Sequence, residues 1–454
     1  MIQGHSKVTL GIDIGTTKVA VSLVDAETRD VLATGALAHE SDVQGLPVGR
    51  SEQVVSRILA TLDSCLEGVA PELRRRVRGI GVTGQMHGVV LWNPASGDTS
   101  HLFTWQDQRC HEEDFLRRLR EKSGDGAVQS GFGAATIAWL AAHQPEALRR
   151  YSCAGTIHDY LVTLITASPK VATDPSDAAS WGFFDLRKGA WSLEAVERAG
   201  VPSSLLPEVR SAGARVGNLQ AGLASRWGIP AGVPVGNAFG DNQASLYGSL
   251  TDPSRQMALT IGTGAQLSVV VPQLPKELPS PRQRYEFRPY VGGSFIAVAA
   301  SLTGGRALAA LGRALESFMR EMAGGSAPSL DAIQSAMHEQ GLVAVDTDLR
   351  ANASLSGERS DPNLRGSFTN LSFDNFTIGD MTAALCRGLV EGLRDALPSE
   401  FLQGHREVVG SGNAIRRSPL MQQVIREAFG CSLVLTEGSE TTASGAALLA
   451  SATL

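Results

Sequence analysis

Two mixed α/β domains are predicted for this chain, and three observations predict them. Its 454 residues exceed what one hydrophobic core ordinarily holds. Apolar, β-rich runs alternate along it with stretches of helical period. An Ile-Gly-Thr turn set between two apolar runs occurs twice, at Ile14-Gly15-Thr16 and at Ile261-Gly262-Thr263. Recurrence of a unit over such a distance points to duplication. Residues 1–245 and 246–454 are therefore expected to form one domain each, with a phosphate-binding cleft between them.

Composition narrows the classes. With 43% hydrophobic and 19% charged residues the chain reads as a soluble globular protein. A net charge of -6 gives no basic footprint for nucleic acid. No apolar run approaches bilayer length, and Met1 to Lys7 has no apolar signal core. Five scattered cysteines without a Cys-x-x-Cys pair suit reduced thiols, so a cytosolic protein without a zinc site or disulfide framework is expected. Nothing in the pattern signals an oligomeric state.

In chain order, residues 8–14, 18–24 and 31–37 read as strands, the last two joined by a polar turn at Asp25. Residues 51–66 read as a helix with Val54, Ile58, Leu62 and Leu66 on one face and Ser51 as its cap. Residues 77–83 form a buried strand. Gly79, Gly81 and Gly84 formally match a dinucleotide fingerprint, but they lie inside that strand and open no helix, so the match is rejected. A Walker A pattern is absent. Helices are expected over 110–121 and 136–143, while 159–165 is open between helix and strand. Residues 173–180 read as a capping-rich polar loop, and 237–244 as a polar loop leading into a helix. The second half repeats the order: a Gly262 hairpin, a strand over 294–300, helices over 303–314, 330–340 and 381–395, and a strand with a glycine turn over 408–413. A helix capped by Ser418 and started by Pro419 follows, then a last strand and helix.

The first hairpin carries chemistry of its own. Gly15 lets a phosphate approach the backbone, its neighbours offer N–H groups and hydroxyls, and Asp13 suits a hydrated Mg²⁺. A plain structural turn explains the same residues, and only the second copy favours a phosphate clamp.

The chain resembles the FGGY carbohydrate kinases over essentially its whole length. The landmarks are Asp13-Ile14-Gly15-Thr16-Thr17, Gly84-Gln85-Met86-His87-Gly88, Trp105-Gln106-Asp107-Gln108-Arg109, Gly240-Asp241-Asn242-Gln243-Ala244, Gly262-Thr263-Gly264 and Gly410-Ser411-Gly412-Asn413. The resemblance implies two ribonuclease H-like (actin-like ATPase) domains and phosphoryl transfer from ATP with Mg²⁺. The acceptor it implies is a small-molecule ketose, sedoheptulose first and xylulose as runner-up, in a reaction feeding the pentose phosphate pathway. A non-enzymatic actin-like ATPase is the rival of another class. Residue by residue, the resemblance makes Asp241 the general base, although an aspartate there suits a helix cap equally well from spacing alone. It makes Asp13 the metal anchor and places Gly15, Thr16, Thr17, Lys18, Gly262 and Thr263 on phosphates. Lys18 also reads as a solvated surface lysine. Gln85, Met86, His87, Trp105, Asp107 and Asn242 are placed on the sugar, and Gly304, Gly410, Gly412 and Asn413 on the nucleoside. The chain departs from the wider family at Thr136, where a lysine is usual. It departs again at Ile157-His158-Asp159 in place of Pro-Lys-Asp, and at Cys386 and Arg387.

Overall fold

The computed structural model describes residues 7–280, 283–358, 361, 363–436 and 440–452; most of the N-terminal stretch read above lies outside them. The described residues form two α/β units. Unit 1 falls within Met1–Ser249, Pro289–Gly293 and Gly438–Leu454, and unit 2 within Leu250–Arg288 and Ser294–Glu437.

In unit 1, β1 (Val8–Ile14) and β2 (Lys18–Asp25) form the expected hairpin, with Asp13 opposite Ala20 and Ile14 opposite Val19. β3 (Val31–Ala38) continues the antiparallel side. β4 (Val77–Gly84) lies parallel to β1 on the other side, followed outward by β6 (Pro234–Gly236) and β5 (Arg215–Asn218). The short β7 (Phe239–Gly240) also pairs with β4, placing Gly240 opposite Gly84. β1 is buried end to end, and β4 is buried from Gly79 onward with only Arg78 exposed near its start, as central strands covered on both faces are.

Five helices of unit 1 matter for the site: α1 (Val55–Glu67), α2 (Gly133–His143), α3 (Ile157–Thr166), α4 (Pro175–Trp181) and α5 (Asp241–Ser249). The ambiguous segment is helical because Thr156 and Asp159 form a reciprocal capping box at its start. The expected polar loop at 173–180 is instead the buried helix α4. Asp174 caps it and Pro175 occupies its first turn; its buried residues include the polar Ser176, Asp177 and Ser180, so no apolar stripe marks it. Ser51 is not the cap of α1; Val54 stands there, and the Ser51 hydroxyl meets Thr104 Oγ1 at 2.6 Å.

The last helix (Thr441–Ser451) departs furthest from expectation. A cut at 245/246 puts it in the second domain, yet it packs in unit 1 on β1, β4 and α5. The reason is steric. A Cβ at Gly11 would stand 1.8 Å from the Ala443 carbonyl oxygen, and one at Gly445 would stand 1.9 Å from that of Ala244. Only glycine lets these backbones approach so closely. Gly11→Ala is therefore expected to destabilise the protein by about 3 kcal/mol or more, read as a fall in the urea midpoint; an unchanged midpoint would mean the helix docks elsewhere.

Unit 2 repeats the plan. β8 (Gln256–Ile261) and β9 (Ala265–Val271) form the second hairpin, with Ile261 opposite Ala265. β10 (Tyr285–Pro289) and β11 (Phe295–Ser301) extend the sheet beyond β9, while β12 (Glu407–Ser411) and β13 (Ser432–Leu435) run parallel on the far side of β8. The helices are α6 (Arg306–Met322), α7 (Leu330–Val343), α8 (Ile378–Arg394) and α9 (Pro419–Phe429), the last capped by Ser418 as expected. In both units a hairpin strand has an antiparallel partner on one side and a parallel strand on the other.

Candidate active site

In unit 1, β1 delivers Asp13 to the mouth of the hairpin. The Gly15 N–H closes the turn on the Lys18 carbonyl at 3.0 Å. Three side chains from elsewhere hold the turn's outer side: His39 reaches the Gly15 carbonyl at 3.2 Å, Gln53 donates to the Thr16 carbonyl at 2.8 Å, and Trp105 Nε1 donates to the Thr16 hydroxyl at 3.0 Å. Gln85 donates to Gln53 Oε1 at 3.0 Å, and its backbone N–H bonds the Ile14 carbonyl at 2.8 Å. The phosphate-type turn and the Gln85 turn are thus one hydrogen-bonded assembly.

Asp13 is buried, and its Oδ1 has no hydrogen-bond partner. Burial, then the negative charges of Asp241 and Glu440, push its carboxyl up to about 7, against the pull of Lys18. A carboxylate so placed fits a cation, which would offset the repulsion and fill the unused lone pairs. Lys18 is half-exposed, yet its ammonium is held: Nζ sits 2.7 and 2.9 Å from the two oxygens of the buried Glu440, at the start of the last helix. Glu440 escaped the sequence reading, and its only signal is an acid immediately before an apolar helix.

Asp241 begins α5, half-buried, and its Oδ1 accepts the Asn242 N–H at 2.7 Å. It shares an electrostatic environment with Asp13, His158 and Asp177. Met86 packs so tightly on the preceding Gly240 that a Cβ there would lie 2.5 Å from its sulfur. His87 adopts a left-handed φ of 73°, stacks on Phe132 with centroids 4.8 Å apart, and meets the Ser180 carbonyl through Nδ1 at 2.8 Å. Gln85, Met86, His87, Asp241 and Asn242 therefore belong to one region of unit 1, with Trp105 exposed beside it.

Asp107 departs from its expected role. It is fully buried, and Arg109 and the Ser51 N–H occupy both its oxygens at 2.7–2.9 Å. It braces the 104–109 loop and has no lone pair turned toward a sugar.

Unit 2 gathers the remaining residues around its own hairpin. The Gly262 N–H bonds the Gly264 carbonyl, and the N–H groups of Gly304 and Gly305 bond the carbonyls of Thr263 and Gly262, each at 2.9 Å. Gly262 and Thr263 are exposed at the tip. Gly412, with φ of 93°, lies against Ile261, and Gly410 stands near the end of β12, opposite Leu259. Asn413 is exposed just beyond.

Two duplicated α/β units, each presenting a Gly-Thr hairpin, define an actin-like phosphotransferase with an acid at the start of a helix near one hairpin. Family models agree in detail: the N-terminal domain of the FGGY family of carbohydrate kinases matches residues 8–248, and its C-terminal domain matches 257–454. The chain belongs to the FGGY family of carbohydrate kinases. It is 37% identical to the sedoheptulokinase of Homo sapiens over 97% of both chains, and 37% identical to that of Mus musculus over 93% of both. Among solved structures, a xyloylose kinase from Brucella ovis is 25% identical with a TM-score of 0.79, covering 98% of this chain and 90% of that one. The expected sugar-kinase class is borne out, and the non-enzymatic alternative is set aside. Among the described residues no helix is long and apolar enough to cross a membrane.

Proposed function

We propose that the protein transfers the γ-phosphoryl group of MgATP to the primary hydroxyl of sedoheptulose, giving sedoheptulose 7-phosphate and ADP and supplying the pentose phosphate pathway. The observation that carries the reading is the placement of Asp241 at the start of α5, directly after the Gly240 on which Met86 packs and within electrostatic reach of Asp13 in the same unit. Asp241 accepts the proton as the sugar oxygen bonds to the γ-phosphorus and the bond to the β–γ bridging oxygen breaks. Asp13 would hold magnesium, and that ion would supply charge neutralisation to the transferring phosphoryl group. The Gly15–Thr17 turn, together with Gly262 and Thr263, receives phosphate oxygens, and Gly304, Gly410, Gly412 and Asn413 line the nucleoside. Lys18, paired with Glu440, keeps a third N–H for a phosphate oxygen. Gln85, His87, Trp105 and Asn242 hold the ketose.

Identity of 37% over nearly the whole chain supports sedoheptulose over xylulose. ADP release with MgATP across five-, six- and seven-carbon ketoses tests this. Highest kcat/KM is expected with sedoheptulose, and a five-carbon ketose in first place would replace the substrate while leaving the kinase reading intact.

A further inference from the structure

Behind Asp241 lies a buried polar cluster that the reaction as described does not use. His158 Nε2 and Asp177 Oδ2 are 2.7 Å apart, and both side chains are wholly buried. With Asp159 they are the one group of three potential metal ligands found among the described residues. The geometry favours a direct hydrogen bond over an ion, because the imidazole already faces Asp177 and its Nδ1 lies against Gly84. A Cβ at Gly84 would stand 2.8 Å from that nitrogen. Gly84 in turn pairs with Ile14 on one side and Gly240 on the other. The pair thus sits beneath the point where the strands bearing Asp13, the Gln85 turn and Asp241 converge.

Asp177 lies on α4, and α4 has two arms. At its start, Ser176 Oγ accepts the Gly240 N–H at 3.2 Å while donating to the Asp174 cap at 2.7 Å. One turn later, Ser180 Oγ accepts the His87 N–H at 3.2 Å, and the Ser180 carbonyl receives the His87 ring. Trp181 Nε1 adds a bond to the Gly88 carbonyl at 3.2 Å. One short helix therefore holds the peptide before Asp241 and the turn opposite it.

We propose that α4 is a positioning element for phosphoryl transfer, in which Ser176 aims Asp241, Ser180 aims the His87 turn at the acceptor sugar, and the buried His158–Asp177 pair fixes the helix beneath both. This rests on the reading of Asp241 as base and of residues 85–87 as the acceptor turn. Small misplacements of a reacting group cost rate steeply, whereas loss of one neutral hydrogen bond costs little stability. The two serines should therefore separate kinetically.

The test is steady-state kinetics with MgATP and sedoheptulose on Ser176→Ala, Ser180→Ala, His158→Gln and Asp241→Asn, with melting curves for each. Ser176→Ala is expected to lower kcat about 10-fold with little change in ketose KM. Ser180→Ala is expected to raise ketose KM about 10-fold with little change in kcat. His158→Gln, which keeps a donor toward Asp177, should move both parameters together. If alanine at 176 melts below the assay temperature, Ser176→Cys, a weaker acceptor of similar size, should give an intermediate kcat. Both serine variants changing kcat and KM in the same ratio, or neither changing while Asp241→Asn is inactive, would overturn the proposal. Wild-type turnover by Asp241→Asn would instead remove the base assignment and with it the Ser176 arm, leaving Ser180 to be judged on its KM.

Discussion

Asp241→Asn is expected to lower turnover by about 10²–10⁴-fold while nucleotide binding is largely kept. Asparagine keeps the shape, still suits a helix start and still accepts the Asn242 N–H, but it cannot take a proton. Only the chemical step loses a partner, so the loss belongs in kcat and not in the KM for ATP. Coupled ADP release and calorimetric titration of nucleotide measure the two sides. Near-normal turnover in a folded variant would return Asp241 to the simpler role of a helix-start residue.

Asp13→Asn is expected to split activity from stability. Turnover with MgATP should fall by about 10²-fold or more, since the anchor for the charge-neutralising ion is gone. Without divalent ions the same variant should be more stable than the wild type at pH 8. The sign follows from the shift: burial and its acidic neighbours raise the folded-state pKa of Asp13 to about 7. A raised carboxylate contributes its full stability below its ordinary range and loses it as pH rises through about 7. The difference between variant and wild type should accordingly be near zero at pH 4 and reach on the order of 2–4 kcal/mol at pH 8. Mg²⁺ displaces the same proton, so its stabilisation of the wild type should grow over that interval. Melting curves at several pH values decide the matter, and a difference independent of pH would refute it.

Whatever depends on neighbours in sequence was legible from sequence. The two hairpins, Asp13 at a strand end, the Ser418 cap and the glycine turns at 262 and 412 declare themselves within a few residues. What was hidden depends on partners far along the chain. Asp107 looked like a sugar ligand because nothing local shows that Ser51 joins Arg109 in saturating it. Lys18 looked free because Glu440 lies 422 residues away. The helix at 175–181 reads as a loop although Asp174 and Pro175 are helix-start residues, because its buried side carries the polar Ser176, Asp177 and Ser180 and shows no apolar period. Asp241, by contrast, is ambiguous locally, and only the motif around it favours a base over a helix cap.

The close seating of the last helix against Gly11 also bears on how the protein comes into being. Synthesis runs from the N-terminus, so β1 and β4 leave the ribosome long before the helix that covers them. Until residues 440–452 emerge, an apolar sheet face stays open, with the backbone groove at Gly11 and at Gly81, where a Cβ would stand 2.0 Å from the Ala446 carbonyl oxygen. During that interval unit 2 is made in full, so the unit begun first is completed second. A released chain ending at residue 437 should therefore be protease-sensitive in unit 1 while unit 2 already resists, an order opposite to that of the sequence.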